Sequence, residues 1–213
     1  MKTDDLIALL ATGDAPVDTR HTLRGFAIAA ACGAAGAVLL MLLFLGLNPQ
    51  LEAFIRLPMH WIKLGFALTL TIAALAATLR LARPGATLGW APALAAIPLV
   101  VIVWLAAVEV FAAEPAQRAH LFFGNTWAVC PLSITLLSLP ALLLTLWAMR
   151  GGAPTQLRLA GAVSGLAAGA LGASVYTLHC PELAAPFIAI WYLLGMLVPA
   201  AIGALVAPRV LRW

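Results

Sequence analysis

Six apolar runs, each about 20 residues long, decide what this chain can fold into. They cover roughly Gly25–Leu47, Trp61–Leu79, Trp90–Ala112, Trp127–Met149, Leu159–Leu178 and Ala184–Val206. A helix of that length crosses a hydrocarbon core of ~30 Å. The runs are continuous rather than alternating, which excludes the strands of a membrane barrel. Hydrophobic residues make up 64% of the 213 residues and charged residues 9%. A soluble domain of this length has no way to hide so much apolar surface, whereas a bilayer removes the need. The expected fold is all-α, a polytopic membrane bundle of six transmembrane helices over residues 25–213, preceded by a polar segment, residues 1–24.

Positive charge sets the expected orientation. With the N-terminus cytoplasmic, that side receives Lys2, Arg20, Arg24, Arg80, Arg83, Arg150, Arg158, Arg209 and Arg212, and the other side receives Arg56, Lys63 and Arg118. The asymmetry predicts both termini in the cytoplasm of a multi-pass protein. The net charge of +4 then reflects orientation, and no basic cluster with interleaved aromatics points to direct nucleic-acid binding. A cleaved signal peptide is not expected, since the first apolar run begins after 24 polar or mixed residues and is long enough to span. Cys32 reads as a small buried hydrophobe near the start of that run.

In lipid, small residues that admit close backbone approach mark helix-packing faces. Gly161, Gly165 and Gly169 recur at four-residue spacing in the fifth run, and Gly25, Ala29, Gly33 and Ala37 do so in the first. Pro98, Pro140 and Pro199 fall inside runs and are expected to kink them. Glu109 is the main ionisable residue within the runs, and its shallow depth suits snorkelling or pairing with Lys63 or Arg118. The spans lack a chain of carboxylates and broken helix pairs, so an ion-coupled transporter is poorly supported. No glycine loop precedes a Lys-Ser or Lys-Thr pair, and no enzyme or small-molecule substrate is expected.

Two Cys-Pro dipeptides, Cys130-Pro131 and Cys180-Pro181, fall at the same expected membrane face, the outer one. Met59, His60, His120 and His179 share that face. Thiolate, thioether and imidazole suit soft or borderline metals, so these four residues are candidate auxiliary ligands to a transient soft metal ion at Cys130 and Cys180. No resident cofactor is required. An imidazole beside a thiol, as in His179-Cys180, also favours the reactive thiolate. Three readings of the pair stand: a structural disulfide, unpaired packing thiols, or a redox- or metal-responsive sensor. Without a CxxC, a thioredoxin-like enzyme is not indicated.

Residues 1–24 form the expected cytoplasmic segment. Thr3 can cap a short helix with Asp4 and Asp5 at its positive end, Leu6, Leu9 and Leu10 then share a face, and Gly13 to Pro16 end it. Two turns are marginal alone. They suit an element that orders against a partner's groove, with a resting place on membrane lipid as the alternative.

The opening Met1 to Leu10 followed by Ala15-Pro16-Val17, the stretch Leu79 to Gly85, Trp127-Ala128-Val129-Cys130, the Gly-rich fifth run, Leu178-His179-Cys180-Pro181-Glu182, Ile190-Trp191-Tyr192 and the Arg209–Trp213 tail together resemble the NrsF family. The resemblance runs the length of the chain, and the two cysteines are its most specific part. The family often has Trp-Pro-Cys at the first cysteine, where this chain has Trp127-Ala128-Val129-Cys130-Pro131. The resemblance implies a bacterial inner-membrane anti-sigma factor that holds an extracytoplasmic-function sigma factor through the cytoplasmic segment. It implies release of that partner when metal or oxidative stress acts on Cys130 and Cys180. The inducing agent and the resting redox state are left open. The rival expectations are a small membrane transporter or channel for a metal ion and a structural subunit of a membrane complex.

Overall fold

The computed structural model describes residues 19–212 together with Thr3 and Asp5. Asp4, Leu6, Leu9 and Leu10, expected to face a partner, lie outside the described residues, while Asp5 is described and exposed. The elements are α1 (Thr19–Phe44), α2 (Leu51–Ile55), α3 (Pro58–Leu81), α4 (Ala91–Ala112), α5 (Pro115–Phe123), α6 (Cys130–Met149), α7 (Leu157–Tyr176) and α8 (Ala185–Val210). No strand occurs among the described residues. Six of the helices, α1, α3, α4, α6, α7 and α8, are long and apolar enough to cross a membrane. The fold is therefore the all-helical one read from the apolar runs. The short α2 and α5, in the connections between spans, are additions to it.

Local chemistry sets the boundaries. Proline stands in the first turn of α3, α4, α5, α6 and α8. Its fixed φ suits a helix start, and its missing N–H removes one donor that would otherwise be unsatisfied. Gly46 (φ 76°) follows α1, its N–H donating to the Met41 carbonyl, and Gly124 (φ 50°) ends α5 with its N–H on the His120 carbonyl. The two Cys-Pro dipeptides differ in kind. Pro131 opens α6, whereas Pro181 lies in the connection between α7 and α8. Within α8 a single π turn, Ile188–Tyr192, shifts the register so that Tyr192 turns inward and is fully buried.

α7 is the most buried of the six and α4 the least. Along α7 the small residues admit neighbouring backbones. Gly161 meets the Gly203 carbonyl and Ala207, Gly165 meets the Pro199 carbonyl and Ala200, and Gly169 meets Met196, all on α8. On another side Gly172 lies against the Ile134 carbonyl and Ser138 of α6. α1 docks on α6 by the same means, Gly33 on Ala141 and Gly36 on Pro140, while Gly25 has open space around it. Cys32 is exposed, not buried. An uncharged thiol there costs lipid little.

Three buried threonines inside the spans are satisfied locally, while the Ser164 hydroxyl of α7 is buried without a hydrogen-bond partner. Thr71, Thr78 and Thr145 each donate to the carbonyl four residues earlier, at 2.7–2.8 Å. Such back-bonding hides a hydroxyl in an apolar medium. Leucine, isoleucine, valine and tryptophan side chains, among them Ile97, Val101 and Trp104 on α4, face outward instead. They are the surface a bilayer would cover.

The glycine contacts give a direct test. Gly165→Leu drives a side chain into the Pro199 carbonyl, and overpacking against backbone costs about 1–3 kcal/mol or more. Its melting temperature in detergent should fall by several degrees. Gly65→Ala, with nothing within 4 Å of the added methyl, should leave melting unchanged or raise it slightly.

Candidate functional site

Chemistry-bearing side chains collect at one end of the bundle. Cys130 is the first residue of α6 and Cys180 lies in the α7–α8 connection; they are 0% and 2% exposed, respectively. Both are free thiols, and their side chains face one another. Lys63, from the second turn of α3, is 0% exposed beside them. Its Nζ donates to the Cys180 carbonyl at 2.9 Å and to the Glu182 carbonyl at 3.0 Å. The same nitrogen stands 5.4 Å from the centre of the Tyr192 ring, within cation–π range. The chain has two tyrosines, and both are here, Tyr176 and Tyr192, ring centres 5.9 Å apart. The Tyr192 hydroxyl is buried, faces the Cys180 sulfur and makes no hydrogen bond of ordinary geometry.

The segment Leu178–Ala185 is tied to every other spanning helix or to the loop that adjoins it. The Leu178 carbonyl accepts from the Asn48 N–H at 3.1 Å, and His179 Nδ1 donates to the Gly46 carbonyl at 3.0 Å, both just past α1. Lys63 reaches it from α3. Glu109, on α4, accepts the Ala185 N–H at 2.9 Å. Glu182 Oε1 accepts the Asn125 N–H at 2.7 Å and faces the Thr126 hydroxyl, in the turn that leads into α6. Gly124 makes room for that carboxylate, since a methyl there would meet Glu182 Cδ at 2.6 Å. Tyr176, at the end of α7, stacks on His179. The eight-residue connection between α7 and α8 thus gathers the ends of the five spanning helices before α8 at the thiols.

Two sequence expectations need correction. Glu109 pairs with neither Lys63 nor Arg118. It caps the start of α8, and Arg118 Nε donates to the Ala113 carbonyl. Lys63, counted from sequence as a charge bordering the membrane, is turned into the protein, because the exposed carbonyls of the α7–α8 connection solvate it better than lipid. The signal was available, since Lys63 lies inside the second apolar run, and a charge in such a run marks a polar interior.

The candidate metal ligands are not assembled around the thiols. His179 is engaged with Gly46 and Tyr176, His60 is buried edge-on to Trp61 at 6.0 Å, Met59 is half-buried and His120 is exposed on α5. Among the described residues no group of three or more His, Cys, Asp and Glu side chains is placed to hold a metal ion. A buried ammonium beside two sulfurs further opposes a cation, so the residues present do not fit a resident metal.

The arrangement favours thiol chemistry at Cys180. The facing Cys130 side chain holds the Cys180 thiol below the ordinary range, to about 6, and Lys63, Tyr192 and the Glu182 backbone act in the same direction against burial, which pushes it up. A thiolate in contact with a second thiol is the arrangement from which a disulfide forms.

A helical bundle with six apolar helices of membrane-spanning length fits a membrane protein, and comparison with known proteins narrows the class. The family model for negative regulator of sigma F, NrsF, matches residues 10–213. A probable anti-sigma-F factor NrsF of Azospira oryzae is 49% identical over 213 residues, covering 100% of both chains. The anti-sigma-F factor NrsF of Caulobacter vibrioides is 38% identical over 219 residues, again covering 100% of both. No solved structure matches. The chain belongs to the NrsF family, a family of regulators rather than enzymes.

The contact between the thiols predicts their reactivity. Treatment of the detergent-solubilised protein with diamide should give a Cys130–Cys180 disulfide within the monomer, seen as peptides joined in mass spectrometry. Exposed Cys32 should remain open to alkylation under the same treatment.

Proposed function

We propose that the protein is an anti-sigma factor of a bacterial inner membrane, with both termini in the cytoplasm. It would hold an extracytoplasmic-function sigma factor away from RNA polymerase and release it when oxidative stress reaches the Cys130–Cys180 pair on the outer face. Full-length similarity to two anti-sigma-F factors supports the regulatory half. The division of positive charges supports the orientation. The observation that carries the sensing half is two free, buried thiols that face one another at the end of the bundle where the loop before α3, the turn before α6 and the α7–α8 connection converge.

An oxidant is favoured over a soft metal as the trigger. Disulfide formation needs only the two sulfurs already in contact. Metal capture at Cys130 and Cys180 would need further ligands drawn from His179, Met59, His60 or His120, and would place a cation beside Lys63. The transporter reading has less support still, because the spans carry no chain of carboxylates and the hydroxyls of Thr71, Thr78 and Thr145 bond their own helices.

Partner binding is assigned to the segment before α1, with Leu6, Leu9 and Leu10 as an apolar face and Asp4 and Asp5 as flanking charges that favour a basic surface. Shifting a two-state grip from 99:1 to 1:99 takes about 5.5 kcal/mol. A disulfide, typically contributing about 2–4 kcal/mol, supplies much of that. Movement of an exposed charge does not.

Two measurements test the proposal. Cys130→Ser and Cys180→Ser should each abolish oxidant induction of sigma-dependent genes while leaving repression in place; full inducibility in both variants removes the sensor. A tagged protein lacking residues 1–24 should fail to co-purify the sigma factor that the full chain recovers. Equal recovery would move the binding surface to the loops on that side.

A further inference from the structure

Lys63 lacks a carboxylate partner among the described residues. The one salt bridge found there joins Arg56 to Glu52 on the surface, and the Glu182 side chain is occupied by Asn125 and Thr126. Two carbonyl oxygens solvate the ammonium without neutralising it, and a buried charge ordinarily has a counter-charge. The Tyr192 hydroxyl, also buried, is a donor with no acceptor of ordinary geometry and faces Cys180. Of the two buried hydroxyls without a hydrogen-bond partner among the described residues, Ser164 lies along α7, and Tyr192 is the one at the thiols, where an unpaired group signals a partner or state still to be accounted for.

Cys130 is placed differently. At the helix start beside it, three of the first four positions offer no donor to an anion: Pro131 has no N–H, the Cys130 N–H is bonded to the Thr126 carbonyl at 2.9 Å, and the Ser133 N–H is bonded to the Val129 carbonyl at 2.9 Å. The two thiols are therefore unequal, although they are neighbours.

We propose that Lys63 and Tyr192 form an anion site around the Cys180 sulfur, making Cys180 the thiol that attacks an incoming oxidant and Cys130 the thiol that resolves the product. The inference rests on the redox reading given above and assigns roles within it. The groups facing Cys180 are Lys63 from α3, Cys130 from α6, Tyr176 from α7 and Tyr192 from α8, with Glu182 on its own segment. With a hydroperoxide as the oxidant, the Cys180 thiolate forms a sulfur–oxygen bond as the oxygen–oxygen bond breaks, giving a sulfenate and an alcohol. Lys63 and the Tyr192 hydroxyl stabilise the sulfenate oxygen as they did the thiolate. Cys130 sulfur then attacks Cys180 sulfur. The oxygen leaves as water, taking one proton from the Cys130 thiol and one from the Lys63 ammonium. The disulfide and the amine are both neutral, so no orphan charge is left in the interior. The Lys63 hydrogen bonds to the Cys180 and Glu182 carbonyls lose their charge assistance, which roughly halves the strength of such bonds. Oxidation thus loosens the hold of α3 on the α7–α8 connection.

The test uses the full chain in detergent with hydrogen peroxide and dimedone, which captures sulfenic acids. In Cys130→Ser, dimedone should label position 180; in Cys180→Ser, position 130 should stay unlabelled. Labelling at 130 equal to or above that at 180 overturns the assigned order. Lys63→Met should slow peroxide-driven disulfide formation near neutral pH by about tenfold and move the midpoint of its pH profile up toward ~8.5, with Tyr192→Phe showing a smaller change in the same direction. An unchanged midpoint in a folded Lys63→Met protein overturns the anion site. Should that variant fail to fold, the far-ultraviolet thiolate absorbance of the unmutated chain, taken against Cys180→Ser, decides the matter. A thiolate step below pH 8 supports the site, and its absence overturns it. These readouts need no sigma factor, so their failure is separable from failure of the regulatory reading, which is scored by induction in cells.

Discussion

The buried ammonium of Lys63 is the constraint around which this end of the molecule is built. Lipid offers nothing to a charged amine, and water is remote from a side chain with no exposed surface. The chain therefore brings backbone carbonyls to it, and carbonyls free to turn toward a side chain exist only where no helix is using them. The α7–α8 connection supplies two, at Cys180 and Glu182. Once that coil is fixed by α3, the remaining bonds follow with little freedom. Glu182 closes on the turn before α6, Glu109 on the first N–H of α8, and His179 on the end of α1. Each is a polar contact at low dielectric, where breaking it leaves a desolvated group without a partner. Few segments could be displaced at so many points by so small a movement.

Rigid packing below the coil makes such movement consequential. Glycine along α7 lets the α8 backbone come so near that a single methyl at Gly161 or Gly165 would strike a carbonyl. Helices in that contact do not deform independently. A shift of the α7–α8 connection is then carried by rotation or tilt of whole helices, the usual way that small local changes become large ones.

Much of this was legible in the sequence, and what was not has a physical explanation. Periodicity and run length identify six spans because a bilayer imposes length and apolarity on each one separately. The Gly161, Gly165 and Gly169 stripe is visible because four-residue spacing places residues on one face without reference to other helices. The thiols could be singled out because cysteine is scarce in this chain. Lys63 was legible as a charge inside an apolar run, but its partners, like the placement of Tyr192, depend on tertiary position. The inward turn of Tyr192 comes with a π turn that no local signal marks, and a lysine one turn inside a helix end reads equally as a snorkelling residue. Glu109 shows the same limit. Its partner is a backbone N–H on α8, and backbone donors carry no sequence label. Cys32 was misread because a small apolar residue is acceptable to lipid and to protein alike.

On the proposed orientation, input and output lie on opposite sides of the membrane, and α1 is the element that joins them. It is 26 residues long, about 39 Å at 1.5 Å per residue, and the partner-binding segment continues directly from its first residue. Its last turn is followed by Gly46 and Asn48, which are held by His179 and Leu178, the two residues immediately before Cys180. Its face rests on α6 through Gly33 and Gly36, and α6 begins at Cys130. One thiol is therefore coupled to the end of α1 and the other to its side. Joining the sulfurs changes the relation between those two supports. A stiff helix held at both cannot absorb the change locally and must pass it to its far end, where the sigma factor would be held.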